Sequence, residues 1–381
     1  MLCVQIFPVM QQTNDVIIAG GGLAGLTAAI HLARAGLKVT LFEKHAYPQH
    51  KVCGEYISNE VLPYLRELDA DPSVLQPSQL HKFQFSSQRG TLISATLPLG
   101  GFGLSRYALD QFLMHKAVSH GCTIVQDSVV SIVDNDDQMA IKTASSGNFY
   151  AKYVMGAYGK RSGIDQHLDR DFIKHKSPWL AVKAHYTGSY DPELVALHHF
   201  KGGYCGVSTV ENGLINICYL TDYKTFKRYR NIEDFQEQVL FKNPHLKDIF
   251  RDCHMVFDAP LSIGQISFEK KEAVTNHVLM VGDAAGLIHP LCGNGMSMAI
   301  LGAKLASSLL IKQFESKHHH SRAMMEQTYA REWTSHFKQR LSMGRSLSDL
   351  LQNDFLSSFL TASVARFPFI LPHLIRRTHG H

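Results

Sequence analysis

Asp15-Val16-Ile17-Ile18-Ala19-Gly20-Gly21-Gly22-Leu23-Ala24-Gly25 is the stretch on which the fold turns. Its apolar first half reads as a short buried strand, and it runs straight into G-x-G-x-x-G. Gly20 permits a tight turn, Gly22 lets the backbone approach a pyrophosphate, and Gly25 lets the next helix sit close to the strand. That helix is expected to run to about Ala35, with Ala28, Ala29, Leu32 and Ala33 facing a sheet and Gly36 closing it. Its N-terminus offers unpaired N–H groups and partial positive charge, which suit a diphosphate. Lys38-Val39-Thr40-Leu41-Phe42 supplies a second strand ending in Glu43, about twenty residues past the glycines, where a carboxylate can hold a ribose hydroxyl. Strand, glycines, helix and acid together predict a dinucleotide-binding βαβ unit. By themselves they do not choose between NAD and FAD.

A second signature stands far downstream. Val278-Leu279-Met280-Val281 reads as a buried strand ending in Gly282-Asp283-Ala284-Ala285-Gly286, followed by Pro290 and by Gly293-Asn294-Gly295-Met296 opening a helix. Ala299, Ala303 and Ala306 give that helix a small-residue face. An Asp after a strand can bind a chain of hydroxyls, and a helix opening at Gly295 can stabilise an anion such as a reduced flavin. The residues flanking Pro290, His289 and Cys292, are read as structural, with lining the pocket as the alternative.

The remaining composition excludes several classes. The chain has 381 residues, 45% of them hydrophobic, enough for two packed domains. Its formal charge of +5 comes from Lys and Arg scattered along the chain, which argues against a nucleic-acid partner. Seven widely spaced cysteines without a C-x-x-C pair read as reduced thiols, neither a disulfide frame nor a zinc site. Residues 1–12 lack the pattern of a secretory signal, and Met10 is an alternative start. No stretch reaches the run of about eighteen uninterrupted apolar residues that spans a membrane. The apolar tail, residues 355–375, is expected to pack on its own domain, with an interfacial role as the alternative. His318-His319-His320 reads as a solvated loop.

Between the two signatures the pattern alternates. Leu180, Val182, Ala184 and Tyr186 face one way and Lys183 and His185 the other, predicting a half-buried strand. Glu211-Asn212-Gly213 between Gly203-Tyr204-Cys205-Gly206-Val207 and Ile215-Asn216-Ile217-Cys218-Tyr219 predicts a hairpin. Met325, Tyr329, Trp333, Phe337 and Leu341, four apart, predict a helix packed on the body.

Taken together these motifs resemble the p-hydroxybenzoate hydroxylase-type superfamily of FAD-dependent oxidoreductases, and within it the geranylgeranyl reductase-like branch. The resemblance rests on the glycine motif with Glu43, on His50-Lys51-Val52-Cys53-Gly54-Glu55, similar to a K-x-C-G segment, on Arg106-Tyr107-Ala108-Leu109-Asp110, and on the Gly282-Asp283 segment. It implies an α/β fold: a Rossmann-like FAD-binding domain of the GR2 type, an inserted antiparallel β-sheet substrate domain and C-terminal helices. The expected divisions are 13–76, 106–164 and 276–321 for FAD, 77–105 and 165–275 for substrate, and 322–381 for the helical end.

The implied cofactor residues are Gly20, Gly22, Ala24, Gly25, Glu43, Lys44, Cys53, Gly54, Arg106, Asp283, Gly293, Asn294, Gly295 and Met296. Cys53 is also the candidate catalytic residue, placed by the resemblance beside the flavin ring. A small buried hydrophobe is the alternative reading of that side chain. Where relatives carry G-A-D-G, this chain has Gly156-Ala157-Tyr158-Gly159, so NAD(P)H and another electron donor stay open.

Two reactions on a hydrophobic small-molecule substrate follow from the resemblance. One is reduction of a carbon–carbon double bond in a prenyl or lipid-like molecule. The other is hydroxylation of an aromatic or polyketide-type ring, and a non-enzymatic electron-relay protein is a minor third reading. The W-x-W-x-I-P segment of flavin halogenases is absent. The expected setting is cytoplasmic, with peripheral contact at the inner face of the membrane.

Overall fold

The computed structural model describes residues 13–135, 138–316 and 321–352. Residues 1–12, His318-His319-His320 and the apolar tail at 355–375 lie outside the described residues.

The run Asn14–Ala19 is a strand buried almost throughout, because it lies in the middle of a parallel sheet covered on both faces. The sheet order is Val274–Thr275, Val278–Met280, Asn148–Gly156, Asn14–Ala19, Val39–Glu43, Thr123–Gln126. From Val278–Met280 to Thr123–Gln126 every neighbouring pair is parallel. Both signature strands therefore end on the same edge, as parallel strands must, and the loops that follow them meet there. The helix Leu23–Arg34 is followed by Ala35 and by Gly36 at φ +82°, as the sequence predicts.

The second sheet runs Cys253–Met255, Trp179–Gly188, Ile215–Asp222, Gly203–Thr209, Leu194–Phe200, Ser78–Ser86, Leu92–Gly103, Tyr56–Ser58, with Leu261–Gly264 beside Trp179–Gly188. It is antiparallel except where Ser78–Ser86 meets Leu194–Phe200 in parallel. Tyr56–Ser58, which precedes residue 76, pairs with Leu92–Gly103 and so belongs to this sheet. The predicted hairpin forms, with Asn212 and Gly213 both at positive φ, the conformation an Asn-Gly turn favours.

The strand Trp179–Gly188 corrects the half-buried expectation. Leu180, Val182, Ala184 and Tyr186 pack with Phe200, Tyr219 and Phe235 on one face, yet Lys183 and His185 on the other are also buried. Alternation marks two chemically different faces, and both are covered here. One meets the sheet's own helices and the other meets the first unit, where Glu55 receives Lys183 and His185.

Two C-terminal helices close the body. Gly295–Glu315 packs on Leu23–Arg34, with Ala303 and Ala306 fully buried. By length and composition it could span a membrane, yet it holds no uninterrupted apolar run of that length and more than half of it is buried, as in a core helix. Arg322–Gln352 lays Met325, Tyr329, Trp333 and Phe337 into the core as one stripe. Tyr329 Oη donates to the Met280 carbonyl at 2.5 Å, and Trp333 lies over Gly286, where a Cβ would come within 2.6 Å of its ring. This helix therefore braces the second signature from behind.

Candidate functional site

Gly20 adopts φ +113°, and a Cβ there would lie 2.4 Å from the Ala157 carbonyl oxygen. A Cβ at Gly25 would lie 2.0 Å from the Gly20 oxygen, the close helix–strand approach expected of that glycine. Gly21, read only as a spacer, is equally constrained. Its Cβ would meet Tyr47 Oη at 1.9 Å, its N–H donates to Glu43 Oε2 at 2.8 Å, and its carbonyl accepts from Tyr47 at 2.6 Å. Glu43 also accepts from the His45 N–H at 3.1 Å, so this carboxylate ties the glycine turn to the loop after the second strand.

The helix that follows begins after Gly22 with neither a side-chain cap nor an acid in its first turn. The helix beginning at Gly295 shares both features. The two turns touch: a Cβ on Gly282, at φ +62°, would sit 3.0 Å from Ala24 Cβ. Two positively polarised helix ends thus face one space, as a cofactor carrying phosphate and an anionic ring requires.

Arg106 begins a helix whose N-cap, Ser105, accepts from the Ala108 N–H at 3.1 Å. Its guanidinium makes two 2.7 Å bonds to the fully buried Asp110, which also pairs with Lys51 at 2.9 Å. Held this way, Arg106 Nη2 lies 3.6 Å from the Cβ position of Gly22. Cys53 is half-buried, its carbonyl fixed by Asn216 Nδ2 at 3.2 Å, and a Cβ at Gly54 would meet nothing within 4 Å. Beside Cys53, burial pushes the Cys218 thiol up to about 12.

All the sequence-predicted cofactor residues except Gly25 line a single cavity of about 780 Å³. This lies toward the upper end of the roughly 300–1,000 Å³ usual for ligand sites. Gly25 acts from behind, by seating the helix. The opposite wall comes from the second sheet and is apolar, with Phe83, Phe85, Ile93, Leu197, Tyr204 and Leu220. The residues fit FAD: glycine turns that admit backbone approach, two uncapped helix ends, a ribose-side carboxylate and an apolar wall for a ring.

Ala157, Tyr158 and Gly159 of the Gly156–Gly159 segment line the same cavity. Tyr158 donates to Asp165 at 3.1 Å, and Asp165 forms a fully buried ion pair with Arg170 at 3.0 Å. Arg170 also donates to the Ala284 carbonyl at 2.9 Å, which ties this segment to the second signature. Lys271 reaches the carbonyls of Lys160 (2.8 Å) and Asp283 (2.9 Å), and its burial lowers it to about 8. His289 and Cys292 are buried, His289 against Trp179, Tyr204 and Phe268.

Sequence reasoning missed the charged cluster in the wall. Glu55, at φ +54° and fully buried, accepts from the Arg106 N–H (2.8 Å) and from Lys183 Nζ (2.9 Å), and pairs with His185 Nε2 (2.6 Å). Burial alone would raise its carboxyl, but the His185 hydrogen bond and the Lys183 charge override this and hold it below the ordinary value. The only local signal was a lysine and a histidine, i and i+2, in an otherwise apolar strand.

A family model described as an FAD binding domain matches residues 13–339. Conditioned medium factor receptor 1 of Dictyostelium discoideum is 26% identical, covering 88% of this chain and 70% of that protein. Digeranylgeranylglycerophospholipid reductase of Thermoplasma volcanium is also 26% identical, covering 80% of each. Among solved structures, the flavin-dependent brominase Bmp2 superposes with a TM-score of 0.78 at 17% identity, covering 96% of this chain and 93% of that one.

Proposed function

Because the chain belongs to the FAD-binding-domain family and is a flavin-dependent oxidoreductase, we propose that it reduces a carbon–carbon double bond in a prenyl or other lipid-like molecule. The observation that carries this reading is the apolar wall from Phe83 to Leu220, which lines the same cavity as Cys53 and the glycine turns. The likeness to the Thermoplasma reductase supports it. Bound FAD supplies the hydride.

In this reading the uncapped helix after Gly22 holds the diphosphate and Glu43 a ribose hydroxyl. Arg106, locked by Asp110, lies along the cofactor, and the Gly295 helix end takes the ring's negative charge. The second sheet excludes water and orients the apolar chain, and Cys53 stands beside the reacting bond. Tyr158 in place of an acid leaves NAD(P)H or a separate protein as donor. A cytoplasmic setting with peripheral membrane contact, where such a substrate would be collected, belongs to the same proposal.

Hydroxylation of an aromatic ring is the second reading, favoured by Phe83, Phe85 and Tyr204 in the wall. Anaerobic mixing of reduced protein with a polyprenyl substrate separates the two. Flavin reoxidation with a saturated product supports reduction; no anaerobic reoxidation, with oxygen-dependent product from a long-chain phenol, refutes it.

A further inference from the structure

Whichever substrate is used, delivering a hydride to a double bond or activating oxygen also consumes a proton. The cavity wall holds a set of groups suited to supply it. Glu55 lines the cavity, and its second oxygen pairs with His185 Nε2 at 2.6 Å. The His185 ring lies edge-on to His50 with centroids 5.2 Å apart, and both rings pack on Phe257. His50 in turn stacks on Tyr107, 4.5 Å away and exposed at the surface. Nδ1 of His50 is buried and takes no hydrogen bond among the described residues. Glu55 and the partly exposed His50 both line the cavity, and the buried His185 touches each of them.

We propose that Glu55, His185 and His50 form a proton path from solvent to the reaction space, with Lys183 as the positioning residue that keeps Glu55 ionised between turnovers. A proton from water enters at His50, which passes one on from its other ring nitrogen. One water or a ring rotation spans the gap to His185. His185 releases its Nε2 proton to Glu55, and Glu55 gives that proton to the group reduced in the cavity. Each hydride delivered consumes one proton from solvent, and all three groups return to their starting states. Lys183, Arg106, Tyr107, Cys53 and Cys218 are the charged and titratable groups facing this path. His50 suits the entry because burial and the Lys183 charge hold it down, at about 4, so its ring is neutral and free to accept.

The path does not depend on the prenyl reading, and its test uses menadione, a quinone that takes a hydride and a proton from any reduced flavin it can reach. Photoreduced holoenzyme is mixed anaerobically with menadione, and flavin reoxidation is followed for wild type and His50→Phe at full FAD occupancy. The expected result is a rate lower by about tenfold or more in the variant, restored by added imidazole. A wild-type rate, or a slow rate that imidazole does not restore, overturns the path. A second readout needs neither flavin nor turnover. Histidine ¹⁵N NMR of the flavin-free protein should show His50 titrating near 4 and moving up in Lys183→Met. A His50 titration that Lys183→Met leaves unmoved overturns the placement of Lys183 over the path, even if His50→Phe does not fold.

Discussion

Replacing Gly25 by alanine tests the geometry on which the cofactor site stands. The added Cβ would lie 2.0 Å from the Gly20 carbonyl oxygen and 3.2 Å from Ala157 Cβ, where real Cβ contacts stay beyond 3.0 Å. The first obstacle is backbone, so no side chain can rotate away. The helix Leu23–Arg34 must therefore withdraw by about 1 Å, and ten of its residues are buried against the sheet and its neighbouring helices. Overpacking of this kind costs about 1–3 kcal/mol. The same shift carries the N–H groups after Gly22 away from the diphosphate. If the full strain is felt in the bound state, FAD affinity falls by about 5–150-fold. Fluorescence titration of flavin-free protein with FAD gives the dissociation constant, and melting with and without FAD separates lost stability from lost binding. An alanine variant that binds within about twofold of wild type and melts unchanged would refute the claim that this helix is seated against the Gly20 carbonyl.

Further outcomes follow from the same geometry. Arg106→Lys cannot keep both 2.7 Å bonds to Asp110, so FAD binding should weaken by about tenfold with little change in melting; unchanged binding would remove Arg106 from the site. Cys53→Ala with FAD still bound should slow turnover if the thiol takes part in the chemistry, and full turnover would leave it a packing residue. Burial holds His289 and His198 down, both at about 3. Between about 6.5 and 3 the unfolded chain binds these protons and the native state does not. Stability therefore falls as pH drops through that window, by up to about 1.4 kcal/mol per pH unit for each histidine. His289→Phe should flatten this slope in urea melts at pH 4–7; an unaltered slope would mean His289 is not held neutral.

The sequence by itself determined what is local. Strand, turn and helix around Gly20 to Gly25 are dictated by φ freedom, close approach and period within about thirty residues, and so are the Gly282 turn, the Asn212-Gly213 hairpin and the stripe from Met325 to Phe337. The tertiary structure decided whatever depends on distant partners. Gly21 read as a spacer because the atoms that forbid a side chain there, on Tyr47 and Glu43, come close only once the loop after the second strand has folded back. Lys183 and His185 read as a solvent-facing pair because their partner, Glu55, lies some 130 residues away in sequence. Periodicity reports that a strand has two unlike faces. Which face meets water, and which meets a buried carboxylate, is decided by what the rest of the chain packs against it.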